Sequence, residues 1–305
     1  MTGSLRNQVL AAKYGYYQLI DKKDIRLSLK NTYTRLKQLA LILVFLCFGL
    51  HVYGQETSVH DDVQVYFNEA RTFGNRNQID LALTTLDKAA SLAEENKDVK
   101  SLIDSYHMFA LLYLKLDKVN TTKFYWDRAK VLLKDIEYPY GDAIYKYIEA
   151  ILLFKENQNF QAIFMLNEAR QLNNDRNFFN NILLVEGNIY LNLEKYESAS
   201  KNFNSLVVNT DVYEKDYLAT RANIGLAQTN IRLNNFEEAS KFAESALKLA
   251  RENEFFTEII ESNELLAKSY EGLNRYRDAL ASTRELYAAK DSLFTWENIK
   301  IETKT

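Results

Sequence analysis

Three histidines, His51, His60 and His107, are the side chains of this 305-residue chain best suited to hold a metal or move a proton, and their spacing serves neither purpose. A metal centre needs three or four converging ligands, and none of the three has a cysteine or a second histidine at ligand spacing. Cys47, the one cysteine, lies inside an apolar run. The nine glycines are scattered, so no glycine-rich loop is present to cradle a phosphate. Carboxylates come in neighbouring pairs, Glu94 with Glu95 and Glu237 with Glu238, in segments of helical period where such pairs form solvated faces. Asp61 and Asp62, which precede the first such segment, read as helix amino-terminal caps. No constellation for catalysis, metal binding or cofactor binding results. The expectation is a chain that binds a partner and is not an enzyme.

The elements that would present a binding surface show as a repeat. A small residue flanked by large apolar ones recurs at Ala70, Ala110, Ala150, Gly187, Ala227 and Ala267, at intervals of 40, 40, 37, 40 and 40 residues. A second series, Ala82, Thr122, Ala162, Ala199, Ala239 and Ala279, follows the first by 12 residues throughout. Apolar residues on either side keep offsets of three and four, as in Tyr106, Phe109, Ala110, Tyr113 and Leu114, or Phe236, Ala239, Ala243, Ala246, Leu247 and Ala250. Such offsets place them on one helical face, so each period is a helical hairpin. Asn157, Gln158 and Asn159, then Asn234 and Asn235, then Asn274 supply the turns. Small residues on both helices let the backbones come close where they cross. Only one proline, Pro139, is present, expected in the connection between the second and third units. The 20 Tyr and 17 Phe are expected to fill the wedges between successive hairpins. Repeats of this length stack, so the fold class is all-α, a solenoid of six hairpins.

On these residues the chain resembles the tetratricopeptide repeat (TPR) family over Asp61 to Lys290. Gly187, Tyr190, Ala199 and Phe203 match its pattern in the fourth unit, and Ala110, Tyr113, Trp126 and Ala129 in the second. It departs in period, since the usual unit is about 34 residues, which implies helices longer by up to a turn. It departs also at Asn230, where an aromatic is usual, and at Leu206, where a small residue is usual. The resemblance implies a right-handed α-solenoid whose concave groove is lined by the first helix of each unit. The family's groove positions fall on Ile144, Tyr147, Ile151 and Phe154, on Asn181, Leu184, Asn188 and Leu191, and on Arg221, Ile224, Gln228 and Ile231. The candidate partner groove is therefore Tyr147, Ile151, Phe154, Leu184, Asn188, Leu191, Arg221, Ile224 and Gln228. The alternative is that the apolar members face neighbouring helices. In the sixth unit the same positions are Glu261, Glu264, Lys268 and Glu271. The paired-cation grip on a terminal carboxylate seen in chaperone-binding members is not met, because Leu184 stands where a lysine is required.

Residues 1–54 read differently. Leu39 to Tyr53 form the one long apolar run, preceded by Lys30, Arg35 and Lys37 and followed by Gly54 and Gln55. That order looks like a secretory signal cleaved after Gly54, and fifteen residues are short for a membrane span, which takes about 20. If uncleaved, 39–53 would tether the chain to the inner membrane; in both cases the basic flank puts the repeats outside the cytoplasm, in the periplasm or cell envelope. Cleavage would remove 8 of 38 basic and 2 of 41 acidic residues, leaving 30 against 39. A chain of that acidity without a basic stripe is no nucleic-acid binder. Residues 291–305 form a carboxyl-terminal extension read as a capping helix, and Leu286 to Glu297 looks like the junction after the last repeat of bacterial TPR sensors. The functional expectation is an exported scaffold that holds a protein or peptide in its groove, in envelope sensing or assembly, with a signalling kinase as a separate chain. The alternative is a glycan-binding outer-surface protein.

Overall fold

The computed structural model describes residues 61–208 and 215–303, with side chains through residue 292. Every described element is helical: α1 (61–75), α2 (Ile79–Glu95), α3 (Val99–Lys115), α4 (Val119–Leu133), α5 (Pro139–Lys155), α6 (Asn159–Leu172), α7 (Arg176–Asn192), α8 (Tyr196–Val208), α9 (Lys215–Arg232), α10 (Phe236–Glu252), α11 (Phe256–Gly272) and α12 (Tyr276–Thr303). They pair as six hairpins, and each hairpin packs on the next. Asp61 and Asp62 are already inside α1 rather than ahead of it. Pro139 is the first residue of α5, where its missing N–H costs nothing, and not part of the connection before it. Residues 291–303 prolong α12 and start no helix of their own. The signal-like segment 1–54 and its apolar run 39–53 lie outside the described residues; among those described, no helix is long and apolar enough to cross a membrane.

One backbone motif closes all six hairpins. The middle residue of each three-residue turn is left-handed: Asn77, Asp117, Asn157, Glu194, Asn234 and Asn274, with φ between 56° and 60°. Asn and Asp tolerate this region better than other non-glycine residues. The residue after it sends its N–H back five positions, as Gln78 to Phe73 O at 2.8 Å, Lys195 to Tyr190 O at 2.8 Å and Arg275 to Tyr270 O at 2.8 Å. This is the Schellman closure, which satisfies a carbonyl the helix end would leave open. The same residue's carbonyl then accepts the N–H of the second-series small residue, Ala82, Thr122, Ala162, Ala199, Ala239 or Ala279. Turn and seam are thus locked five residues apart in every unit.

All twelve series residues are buried. Between them the apolar side chains form a succession of clusters handed from hairpin to hairpin rather than one core: about Phe67 and Ile103, about Ala110 and Ile148, about Leu166 and Ile182, about Phe203 and Leu226, and about Ala246 and Leu266. Phe203 of α8 is wedged between two backbones. Its ring lies so close to the backbones of α7 and α9 that a Cβ on either Gly187 or Gly225 would come within 2.5 Å of it. Glycine is required at both places by this close approach. The array also curls: the turn of the first hairpin reaches the connection before the sixth, where Arg76 Nη1 lies 3.7 Å from Glu254 Oε2. Lys115, at the end of α3, donates to Gly74 O at 2.9 Å and stands 5.1 Å over the Tyr217 ring of α9.

A methyl group at position 225 should test this packing. Mid-helix Gly→Ala normally gains about 0.5–1 kcal/mol. Gly225→Ala should instead lose about 1–3 kcal/mol, as overpacked cores do, and Phe203→Leu in the same chain should recover part of that loss by vacating ring volume. Urea unfolding checks both. A Gly225→Ala variant more stable than the parent would refute the wedge.

Candidate functional site

The concave face of hairpins three to six carries two adjoining cavities, of about 680 Å³ and about 480 Å³. Leu191, Gln228 and Arg232 line both, so they form one groove. On the side of α5, α7 and α8 its wall includes Phe154, Asn188, Asn192, Glu194 and Tyr196. On the side of α11 it includes Glu261, Glu264, Leu265 and Lys268. The charged lining is balanced, with Arg221, Arg232 and Lys268 against Glu194, Glu261 and Glu264. Asn188, Gln228 and Arg232 make no side-chain hydrogen bond or ion pair among the described residues, so their donors and acceptors are open to a guest.

At the mouth of α11 the polar groups are committed to one another. Arg221 of α9 reaches Glu261 at 2.6 Å and Glu258 at 3.7 Å. Glu258 is 1 % exposed, and its Oε2 is buried without a hydrogen bond. Burial raises the Glu258 carboxyl above its ordinary range, and Lys115 and Arg221 oppose that rise. Burial would lower the Arg221 guanidinium, but Glu261, Tyr217 and Glu258 outweigh it and hold it above its ordinary value. A carboxylate in the first turn of α11 also meets the positive end of the helix dipole. Arg221 therefore holds α9 to α11 and is not free to grip a ligand.

The second hairpin carries different groups at the equivalent positions. Asp104 and His107 of α3 occupy the places that Ile144 and Tyr147 take in α5, 40 residues on. Tyr138 donates to Asp104 Oδ2 at 2.7 Å, and Asp104 Oδ1 is buried without a partner. Burial pushes the Asp104 carboxyl up to about 7, held back by the Tyr138 hydrogen bond and raised further by Asp98. His107 is 2 % exposed with neither ring nitrogen hydrogen-bonded, and burial pulls it down to about 3. No group of three or more metal-ligating side chains exists among the described residues.

The nine groove candidates divide between surface and packing. Phe154, Asn188, Leu191, Arg221 and Gln228 line the cavities. Tyr147 packs edge-on against Phe178, with centroids 5.7 Å apart, in the joint between the third and fourth hairpins. Ile151 and Leu184 pack against neighbouring cores. Ile224, expected along the groove, is 1 % exposed and belongs to the core of the fifth and sixth hairpins, because the curl presses that row of α9 onto its neighbours. Arg232, Asn192, Glu194 and Tyr196 line the groove without having been singled out by spacing. Asn192 and Arg232 lie one residue past the family's last groove positions, Leu191 and Ile231, which is the signal that would have found them; Glu194 is in the turn and Tyr196 opens the next helix.

The two buried groups of α3 give opposite pH dependences. An unfolded aspartate holds its proton only below about 4, so the Asp104 contribution is complete in acid and is lost as pH rises from about 4 to 7. The His107 contribution is complete above about 6.5 and is lost as pH falls toward 3. Between about pH 4 and 6.5 the slopes cancel. Asp104→Asn should leave stability rising with pH over that interval, by up to about 1.4 kcal/mol per unit, and His107→Leu should leave it falling. Urea unfolding at pH 4.5 and 6.5 measures both slopes; slopes of the same sign would contradict the assignment.

Against known proteins, the tetratricopeptide repeat family model matches residues 220–253, which cover most of α9 and all of α10. A crystal structure of BtubC (BKLC) from P. vanneervenii is similar in fold, with a TM-score of 0.53 at 12% identity over 77% of this chain and 92% of that one. No curated protein matches the sequence. The fifth hairpin carries the unit that matches the tetratricopeptide repeat model, and the other five repeat its turn and its paired small-residue seams.

Proposed function

We propose that this chain is an exported, non-catalytic scaffold that holds an extended segment of another protein in the groove of hairpins three to six. The observation that carries the reading is the pair of open amides, Asn188 on α7 and Gln228 on α9, beside an apolar row of Phe154, Leu191 and Ile231. Each amide can donate to a backbone carbonyl and accept from a backbone N–H. Neighbouring packed helices stand about 8–10 Å apart, and three residues of a polyproline II chain advance about 9 Å. A peptide in that form would meet one amide and one apolar position every third residue. The balanced charge of the lining favours an internal, near-neutral segment over a chain end. A glycan would need exposed aromatic faces in the groove, and Tyr196 and Phe154 are both half-buried there. Export rests on the basic, then apolar, then small order of residues 30–54. A role in envelope sensing, with a separate kinase as the next component, is the place such a scaffold would take.

Two measurements test the proposal. Peptides selected from a random library displayed on phage should bind the chain, and Asn188→Ala with Gln228→Ala should weaken that binding at least tenfold while the melting temperature stays within about 2 °C, as surface changes do. Undiminished binding to the double variant would rule this groove out. In a bacterium with an outer membrane the repeats should be digested by protease added to spheroplasts, and a cleaved chain should begin at or near Gln55. Full protection of an intact chain in the cytosolic fraction would rule out export.

A further inference from the structure

From the second hairpin to the fourth, the residue that ends the first helix reaches back to the turn end of the hairpin before it. Lys115, last in α3, donates to Gly74 O at 2.9 Å; Lys155, last in α5, meets Asp117 Oδ1 at 2.7 Å; Asn192, last in α7, donates to Asn159 Oδ1 at 3.4 Å. Arg232 holds this place in the fifth hairpin, at the end of α9. Glu194, the left-handed residue of the preceding turn, stands 38 residues before Arg232 as Asp117 stands 38 before Lys155. The sequence thus repeats the charged pair of the second and third hairpins. The pair is nevertheless not made: neither Arg232 nor Glu194 has a side-chain hydrogen bond or ion pair among the described residues. Both line the cavity of about 480 Å³, whereas Lys155 and Asp117 line neither cavity of the groove.

On the reading that the groove holds an extended segment of another protein, we propose that this segment completes the open pair, setting an acidic side chain on Arg232 and a basic one on Glu194. The other charges of the wall are already spent. Arg221 meets Glu261 at 2.6 Å, and Lys268 meets Glu264 at 2.7 Å. Arg232 and Glu194 are what the lining leaves for a guest, one of each sign, so the segment is near-neutral as a whole but not free of charge. Its two charged residues stand close together in sequence, because one cavity holds both of their partners. Both wall residues are exposed in the empty groove. A guest that covers them strips their water, which penalises a missing or like charge and favours an opposite one. The planar guanidinium of Arg232 can take a carboxylate through two parallel hydrogen bonds. The amides of Asn188 and Gln228 read only backbone, so Arg232 and Glu194 decide which sequences enter.

The probes are phage-selected peptides whose binding to the full chain is lost in the Asn188→Ala, Gln228→Ala double variant. They should carry an acidic and a basic residue within about three positions of each other, one turn of an extended chain. Arg232→Glu and, separately, Glu194→Lys should each raise their dissociation constants at least tenfold, with the melting temperature within about 2 °C of the parent. A peptide whose acidic residue is replaced by lysine should bind Arg232→Glu as the original binds the parent, and should bind the parent at least tenfold more weakly. Probes indifferent to both charge reversals overturn the inference and leave the peptide groove standing. Weakening that the reversed peptide does not rescue overturns it as well, since Arg232 would then act on the shape of the groove and not on a guest carboxylate. If no selected peptide depends on Asn188 and Gln228, the groove itself falls, and the charge match with it.

Discussion

The left-handed residue that ends the first helix of each hairpin is the constraint on which the array depends. It forces the N–H of the next residue back onto the preceding helix and turns that residue's carbonyl toward the small residue that starts the second seam. Reversal, capping and register are therefore set by one local conformation, repeated at Asn77, Asp117, Asn157, Glu194, Asn234 and Asn274. Because the offset from turn to seam never varies, the 37-residue interval in the fourth unit is taken up elsewhere in the period and leaves the stacking intact. The cost is highest at Glu194, which has neither the freedom of glycine nor the short polar side chain of asparagine. That residue lines the groove, where some backbone strain is commonly retained.

Locking the seams in this way leaves the inner face of the first helices free to vary, and the chain uses that freedom unevenly. At one position in successive units stand Asp104, Ile144, Asn181, Arg221 and Glu261. In α3 the acid is buried under Tyr138, and in α9 the arginine is spent on two glutamates. Both arrangements leave a polar atom without a partner, Asp104 Oδ1 and Glu258 Oε2, an expense that a scaffold selected for stability alone would have removed by placing apolar residues there. From α5 to α11, toward the turn end of the hairpins, the face opens into the two adjoining cavities.

The fold was legible because its signal is a spacing. Two small-residue series in fixed register cannot be produced by chance patterning of one core, and they located every hairpin; the turn residues read from the sequence cover three of the six turns, with Asn157, Asn234 and Asn274 at the left-handed positions themselves. Asp117 and Glu194 carry no such mark. The groove was half legible. Phe154, Asn188, Leu191, Arg221 and Gln228 face it, whereas Tyr147, Ile151, Leu184 and Ile224 close the joints between hairpins. Position within a unit fixes which side of a helix a residue occupies. How far the next hairpin leans over that side depends on the curl, which is a sum of small rotations that no single unit encodes. The same reason hid Glu258, whose burial comes from the approach of α9 and of α3 from the second hairpin.

That curl bears on how the groove can respond to a guest. Contacts that bridge distant hairpins are of two kinds: Arg76 and Glu254 are 40% and 61% accessible and 3.7 Å apart, a pair worth about 0–1 kcal/mol, whereas Lys115 of α3 stands over Tyr217 and beside the buried Glu258. The buried joints between neighbours are far stronger, since each encloses several large side chains, and Phe203 is wedged against two backbones. A guest that widened the groove would thus strain these bridges before any neighbour joint. A small rotation at each stiff joint adds up to a change in groove width. The exposed ion pair gives little resistance to that change, so what opposes it is the contact of Lys115 with Tyr217 and Glu258, and the width of the groove is set by the joints and by that contact together.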